Sequence, residues 1–255
     1  MCPKDKYTMY RFLFVLFFIY MITKCAGAEN LPNVTAHSWL VADSEGKVID
    51  GFNQDNVRSI ASITKLITVM TVLDSNQSLD EVINTKPFKS VTRQMLIDLA
   101  IVKSDNKAAT ILCEQYPGGY PACIQAMNRK VQELGMVDTK LFDSTGLNYN
   151  NVSTANDLLK LVQAASKYET IVEASSKSTI SIPVKKNKSV SFRNTNSLVG
   201  HGYNFIVSKT GFITKSGGCI VMQLLTNNGL RTVILLGSKN TKTRIPEAAY
   251  ISGRY

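Results

Sequence analysis

Between residues 12 and 22 the chain reads FLFVLFFIYMI, eleven apolar positions without a polar break. From residue 37 the rhythm turns short. HSWLVADSEGKVIDGFN holds two brief apolar stretches, residues 37–44 and 47–53, on either side of a turn at Gly46, and predicts two paired strands. From Ser62 the spacing lengthens. Ile63, Leu66, Ile67, Met70 and Leu73 recur at helical intervals, with Ser62 in the place of an N-cap or first-turn residue. Four further helices are predicted over 91–102, 106–116, 121–135 and 154–167; Thr154 and Asp157 open the last with a capping pair. Beyond about residue 175 the short rhythm returns in STISIPV, KSVSFRN, NFIVSKTGFI, CIVMQLLT and RTVILLGS, with NNG as a hairpin turn between the last two. RIPEAAYISGRY predicts a short closing helix. Strands at both ends and helices between them predict an α+β fold. The two N-terminal strands would join a mainly antiparallel sheet built from the C-terminal ones, with a helical lobe over about residues 76–175.

Composition adds that 255 residues with 44% hydrophobic content can bury one sizeable core. The apolar run at 12–22 follows the basic MCPKDKYTMYR and precedes Ala26-Gly27-Ala28. That three-part layout reads as a secretory signal over residues 1–28, cut after Ala28, and leaves 29–255 as the mature domain. The run is short for a permanent membrane span. Cys2 and Cys25 depart with the leader, so Cys113, Cys123 and Cys219 remain. In an oxidising compartment CEQYPGGYPAC allows a Cys113–Cys123 bridge across its Pro-Gly-Gly turn. Cys219, inside an apolar segment, reads as a buried thiol. With His37 and His201 as the sole histidines and no CxxC, no zinc site is expected.

The net charge is +10, of which the leader supplies +3 through Lys4, Lys6, Arg11 and Lys24 against Asp5. A basic exported protein favours anionic partners such as cell-wall polymer or a membrane surface. Nucleic acid is not expected, because no basic–aromatic interleaving accompanies the charge.

The candidate chemistry is a serine three residues before a lysine. The pattern occurs at Ser44–Lys47, Ser62–Lys65 and Ser104–Lys107, so the pattern alone decides nothing. Ser44 and Lys47 flank the hairpin turn, where both side chains are solvated. Ser62 and Lys65 lie one turn apart on one helix face, and the helix N-terminus favours negative charge at the serine oxygen. A lysine serves as a base once burial and neighbouring cations bring it down from its ordinary range. Ser104-Asp105-Asn106 falls between two predicted helices, so Ser104 and Asn106 can project from a short connection. Lys209-Thr210-Gly211 lies in a predicted strand, where ammonium and hydroxyl can hold a carboxylate and the glycine admits a substrate backbone. No G-x-S-x-G elbow supports a Ser-His-Asp hydrolase.

Ser-x-x-Lys, Ser-x-Asn and Lys-Thr-Gly in this order resemble the penicillin-binding and β-lactamase superfamily. ASITKLIT, SDNKAA, YPGGY, AMNRKVQELGM, STGL, NVSTANDL, FRNTN and VSKTGF are similar to the D-alanyl-D-alanine carboxypeptidase/endopeptidase family, in particular its murein endopeptidase branch. The resemblance spans nearly all of residues 37–240 and implies a β-lactamase/transpeptidase-like fold. It implies a serine DD-peptidase cleaving D-Ala–diaminopimelate crosslinks or terminal D-Ala-D-Ala in peptidoglycan peptides, with β-lactams as covalent inhibitors. By that resemblance Ser62 is the nucleophile, Lys65 its base and Ser104 the relay to the leaving amine. Asn106, Lys209, Thr210 and Gly211 bind substrate, and the backbone N–H groups of Ser62 and Phe212 form the oxyanion hole. No cofactor or metal is implied; a periplasmic monomer is.

Several family members carry a second β-rich domain and a C-terminal amphipathic helix; with residues 212–255 alone after Gly211, neither is expected here. Two other readings stand beside this one: a penicillin-binding wall module that does not hydrolyse, and a β-lactamase. The second is opposed by the absence of a Glu-x-x-Leu-Asn segment between residues 110 and 209.

Overall fold

The computed structural model describes residues 31, 33–84, 86, 90–185 and 188–255. The signal peptide read over residues 1–28 lies outside the described residues. Strands β1 (Ser38–Ala42) and β2 (Val48–Phe52) form the expected hairpin. A two-residue strand β3 (Arg58–Ser59) leads into a 3₁₀ turn at Ala61–Ile63 and helix α1 (Thr64–Asp74). Two more short strands, β4 (Val82–Ile83) and β5 (Val91–Thr92), precede α2 (Arg93–Ile101), α3 (Asn106–Glu114) and α4 (Gly119–Glu133). Then come β6 (Val152–Ser153), α5 (Ala155–Ala165), α6 (Glu169–Ser176) and a hairpin of β7 (Thr179–Lys185) and β8 (Lys188–Arg193). Strands β9 (Asn204–Ile213), β10 (Gly217–Thr226) and β11 (Gly229–Ser238) and helix α7 (Arg244–Arg254) complete the chain.

The main sheet runs β2-β1-β11-β10-β9, with every neighbouring pair antiparallel. The N-terminal hairpin does join the C-terminal strands, as the pattern predicts. β7 and β8 correct the expectation: they pair only with each other, apart from the main sheet. β9 is therefore an edge strand, and the Lys-Thr-Gly segment lies on it. Leu40, Val221, Ile234 and Leu236 belong to the main core, while their alternating neighbours Trp39, Val41, Val233 and Leu235 are also buried. Both faces of the central strands are thus covered, α7 packing against β10 and β11.

Local sequence explains the helix ends. Thr92, Asp105 and Thr154 each accept a hydrogen bond from the N–H three residues on, at 3.2, 2.9 and 3.1 Å, so α2, α3 and α5 begin at capped turns. Helix α6 is not visible in the sequence pattern. Its eight residues are too few to show a period, and it gains its stability by packing against β9. Helix α1 is the buried axis of the helical region, with Thr64 to Val72 all withdrawn from solvent. Burying Leu66, Ile67, Val69, Met70 and Val72 stabilises at roughly 1.5–3 kcal/mol each. That gain carries a charged-type residue, Lys65, into the interior with them.

Candidate active site

The 3₁₀ turn is approached by β9 on one side and by the segment bearing Gly146 on the other, and a glycine in each makes the approach possible. A Cβ on Gly211 would lie 2.9 Å from the Ile60 carbonyl oxygen and 3.0 Å from the Ser62 nitrogen. A Cβ on Gly146 would lie 1.8 Å from the Ala61 carbonyl oxygen, and Gly146 holds φ +80°. Ala61 itself sits at φ +46°, a conformation costly for a residue with a side chain, held by the backbones that close on it from both sides. Ser62 is the middle residue of this turn, two residues before α1 rather than within it.

Lys65, in the first turn of α1, is fully buried. Its Nζ lies 2.8 Å from Ser62 Oγ, 2.7 Å from Asn106 Oδ1 and 2.7 Å from the Thr145 carbonyl oxygen. Burial lowers its pKa from the ordinary 10.5 to about 7, against the opposing pull of Asp143 and Asp105. Asn106 opens α3 behind the Asp105 cap, and Ser104 stands before it at φ +59°. That connection turns Ser104 towards β9, where Lys209 Nζ donates to Ser104 Oγ at 2.8 Å. Lys209 also donates to the Thr210 carbonyl at 2.8 Å and is 1% exposed. Burial holds its pKa well below the ordinary lysine range, with the charges of Lys65 and Arg244 adding to the effect. Thr210 Oγ1 bonds Thr195 Oγ1 at 2.7 Å, and Arg244 Nη1 donates to the Gly211 carbonyl at 2.7 Å.

The structure therefore brings Ser62, Lys65, Ser104, Asn106, Lys209, Thr210 and Gly211 into one cluster. Phe212 follows Gly211 on β9 and is partly exposed beside it. Of the other two serine–lysine pairs, Ser44–Lys47 stays apart from this chemistry, and of Ser104–Lys107 the serine alone takes part in it. Ser44 and Lys47 remain in the hairpin turn closed by Asp43, and Lys107 faces Glu114 at 3.8 Å. Sequence reasoning missed the Thr145 carbonyl, Thr195 and Arg244. STGL and FRNTN drew attention as segments, but a carbonyl oxygen carries no residue-type signature, and Arg244 enters from a helix far along the chain. Cys113 of α3 and Cys123 of α4 form a disulfide, and Cys219 is a buried free thiol, as its apolar surroundings predict. Among the described residues no group of three or more His, Cys, Asp or Glu is placed to hold a metal ion.

Such an arrangement suits acyl transfer: a hydroxyl in contact with a buried amine, and a second amine at the edge strand able to meet an anion. The family model described as D-alanyl-D-alanine carboxypeptidase, peptidase family S11, matches residues 25–87 and 80–240. A D-alanyl-D-alanine endopeptidase of Escherichia coli (strain K12) is 36% identical over 248 residues, 89% of this chain and 79% of that protein. A D-alanyl-D-alanine endopeptidase of Pseudomonas aeruginosa is 35% identical over 241 residues, 88% of this chain and 78% of that protein. Among solved structures, penicillin-binding protein D2 of Listeria monocytogenes in its cefotaxime-bound form superposes with a TM-score of 0.77 at 24% identity, covering 88% of this chain and 98% of that one. At that identity the likeness speaks for the fold. The chain belongs to the D-alanyl-D-alanine carboxypeptidase family of serine peptidases, on its D-alanyl-D-alanine endopeptidase branch.

Proposed function

We propose that this D-Ala-D-Ala peptidase cuts D-alanyl bonds in peptidoglycan peptides, with D-Ala–diaminopimelate crosslinks as the favoured target, through an acyl-Ser62 intermediate. The observation that carries the reading is Lys65 Nζ at 2.8 Å from Ser62 Oγ, buried and brought to about 7, where a neutral amine is available near neutral pH. Neutral Lys65 takes the hydroxyl proton as Ser62 Oγ attacks the D-alanyl carbonyl. The developing oxyanion is met by the backbone N–H groups of Ser62 and Phe212, each donor contributing about 3–4 kcal/mol in comparable sites. Ser104, bonded to Lys209, relays the proton held on Lys65 to the departing amine, which leaves Lys65 neutral again for the attack of water. The acyl-enzyme then yields to water. Lys209 and Thr210 hold the carboxylate beside the scissile bond, and that anion favours the charged form of Lys209, which burial disfavours. Asn106 orients Lys65 and the substrate peptide.

β-Lactams are the expected covalent inhibitors of the same serine. Residues 1–28 act as a leader and 29–255 as the periplasmic catalytic domain. The Cys113–Cys123 disulfide supports export, because such bonds persist in oxidising compartments. Digestion of purified crosslinked muropeptides tests the substrate: dimers should fall to monomers, and intact dimers that lose only terminal D-Ala would assign a carboxypeptidase instead. A fluorescent penicillin should label the protein and leave Ser62→Ala unlabelled at unchanged circular dichroism. Labelling of Ser62→Ala would refute the assignment of the nucleophile.

A further inference from the structure

A neutral amine has two hydrogens and one lone pair, and Lys65 Nζ has three neighbours. For the lone pair to face Ser62 Oγ, both hydrogens must rest on the other two acceptors, Asn106 Oδ1 and the Thr145 carbonyl. The position of that carbonyl therefore sets the direction in which the base points. Thr145 is 80 residues from Lys65, on the irregular segment between α4 and β6.

One side chain organises that segment. Asp143 Oδ1 accepts from the Thr145 N–H at 2.6 Å, from Thr145 Oγ1 at 3.1 Å and from the Gly146 N–H at 2.5 Å. Asp143 Oδ2 accepts from the Asn148 N–H at 2.6 Å. The same segment is tied to α1 on either side of Lys65. Asn151 Nδ2 donates to Thr64 Oγ1 at 3.1 Å, and Thr68 Oγ1 donates to the Ser144 carbonyl at 2.8 Å. The anion at its centre also favours the ammonium that forms when Lys65 takes up the serine proton.

We propose that Asp143 is a positioning residue for the base: its carboxylate closes residues 145–148 into a turn that fixes the Thr145 carbonyl against Lys65 Nζ and so directs the lone pair at Ser62. The proposal rests on the reading of Lys65 as the base. It concerns a group that touches neither substrate nor nucleophile.

Asp143→Asn is the test. Its amide can still accept at one oxygen, but its NH₂ meets the Asn148 N–H donor-to-donor, so the turn opens on that side. Lys65 remains faced by Asp105 at the cap of α3, itself paired with Lys103, and by the charge of Lys209, on which Arg244 also acts. Stopped-flow acylation by a fluorescent penicillin, run on the full chain from pH 5 to 9, separates binding from chemistry. The acylation rate at its plateau should fall about 10–100-fold, the scale of a displaced reacting group, while the initial binding constant holds.

The acid limb of the profile reports Lys65, and removing the anion that raises its pKa should move that limb to lower pH. A merely structural role would loosen the site, admit water and move the limb up towards the ordinary lysine range; that result, or an unchanged profile, overturns the proposal. Asp143→Glu carries the test if the asparagine variant does not fold. It keeps the charge, so its limb should stay near that of the unchanged protein while its plateau falls; an unaltered plateau overturns the proposal. An unchanged protein that forms no adduct would sink the reading of the site, and this proposal with it.

Discussion

Replacing Lys65 by methionine separates the electrostatics of this site from its packing. The side chain is fully buried, and its pKa falls from 10.5 to about 7. That difference corresponds to about 5 kcal/mol against the charged form in the folded protein. Below pH 7 the folded and unfolded chains both carry the proton, and the folded one bears the whole cost. Between pH 7 and 10.5 the unfolded chain binds a proton that the folded chain does not. The stability of the unchanged protein therefore rises there by about 1.4 kcal/mol per pH unit from this group.

Methionine has no such titration. The stability of Lys65→Met relative to the unchanged protein should be greatest at pH 6 and should decline by about 1.4 kcal/mol per unit above pH 7. The variant also leaves the Thr145 carbonyl and Asn106 Oδ1 without their donor, at about 1–3 kcal/mol each. Those losses do not depend on pH and leave the slope untouched. Lys209 is present in both proteins, and the charge of Lys65 acts on it only while Lys65 is protonated, so the comparison is read above pH 7, where that influence fades. Urea unfolding of both proteins at pH 6, 7, 8 and 9 measures the difference. Parallel stability curves would mean that Lys65 keeps its proton in the folded state throughout, and its assignment as a base would fail.

Lys209→Ala should raise KM for peptides with a free carboxylate beside the scissile bond far more than for peptides amidated there, and equal losses would argue against an anchoring role. Gly146→Ala puts a Cβ where only 1.8 Å separates it from the Ala61 carbonyl oxygen, at φ +80°. It should cost roughly 1–3 kcal/mol in a thermal melt and lower acylation by about 100-fold through displacement of Ser62; a fully active, fully stable variant would contradict the close approach. Replacing Cys113 and Cys123 by alanine opens a loop of sequence separation 10, for which chain entropy gives a loss of about 3 kcal/mol. Identical unfolding midpoints with and without the bond would refute that estimate.

Much of the fold is written in local pattern. The helical interval from Ile63 to Leu73, the cap at Thr154 and the Gly229 turn between β10 and β11 each involve neighbours a few residues apart, and each is where the pattern puts it. The ordered motifs Ser62–Lys65, Ser104–Asn106 and Lys209–Gly211 were legible for the same reason, since each is a short string with a recognisable chemistry. Helix α6 and the separation of β7 and β8 from the main sheet were not, because their stability comes from what they pack against.

The sequence alone determined the residue types that could do this chemistry, their order, and the strand and helix that bear them. Tertiary structure decided which of three serine–lysine pairs is desolvated, since burial depends on what surrounds a residue and not on what precedes it. It also brought a carbonyl from residue 145 and an amide oxygen from residue 106 to one amine on α1. A lysine becomes a base at neutral pH by losing water on every side, and only the folded chain can exclude it.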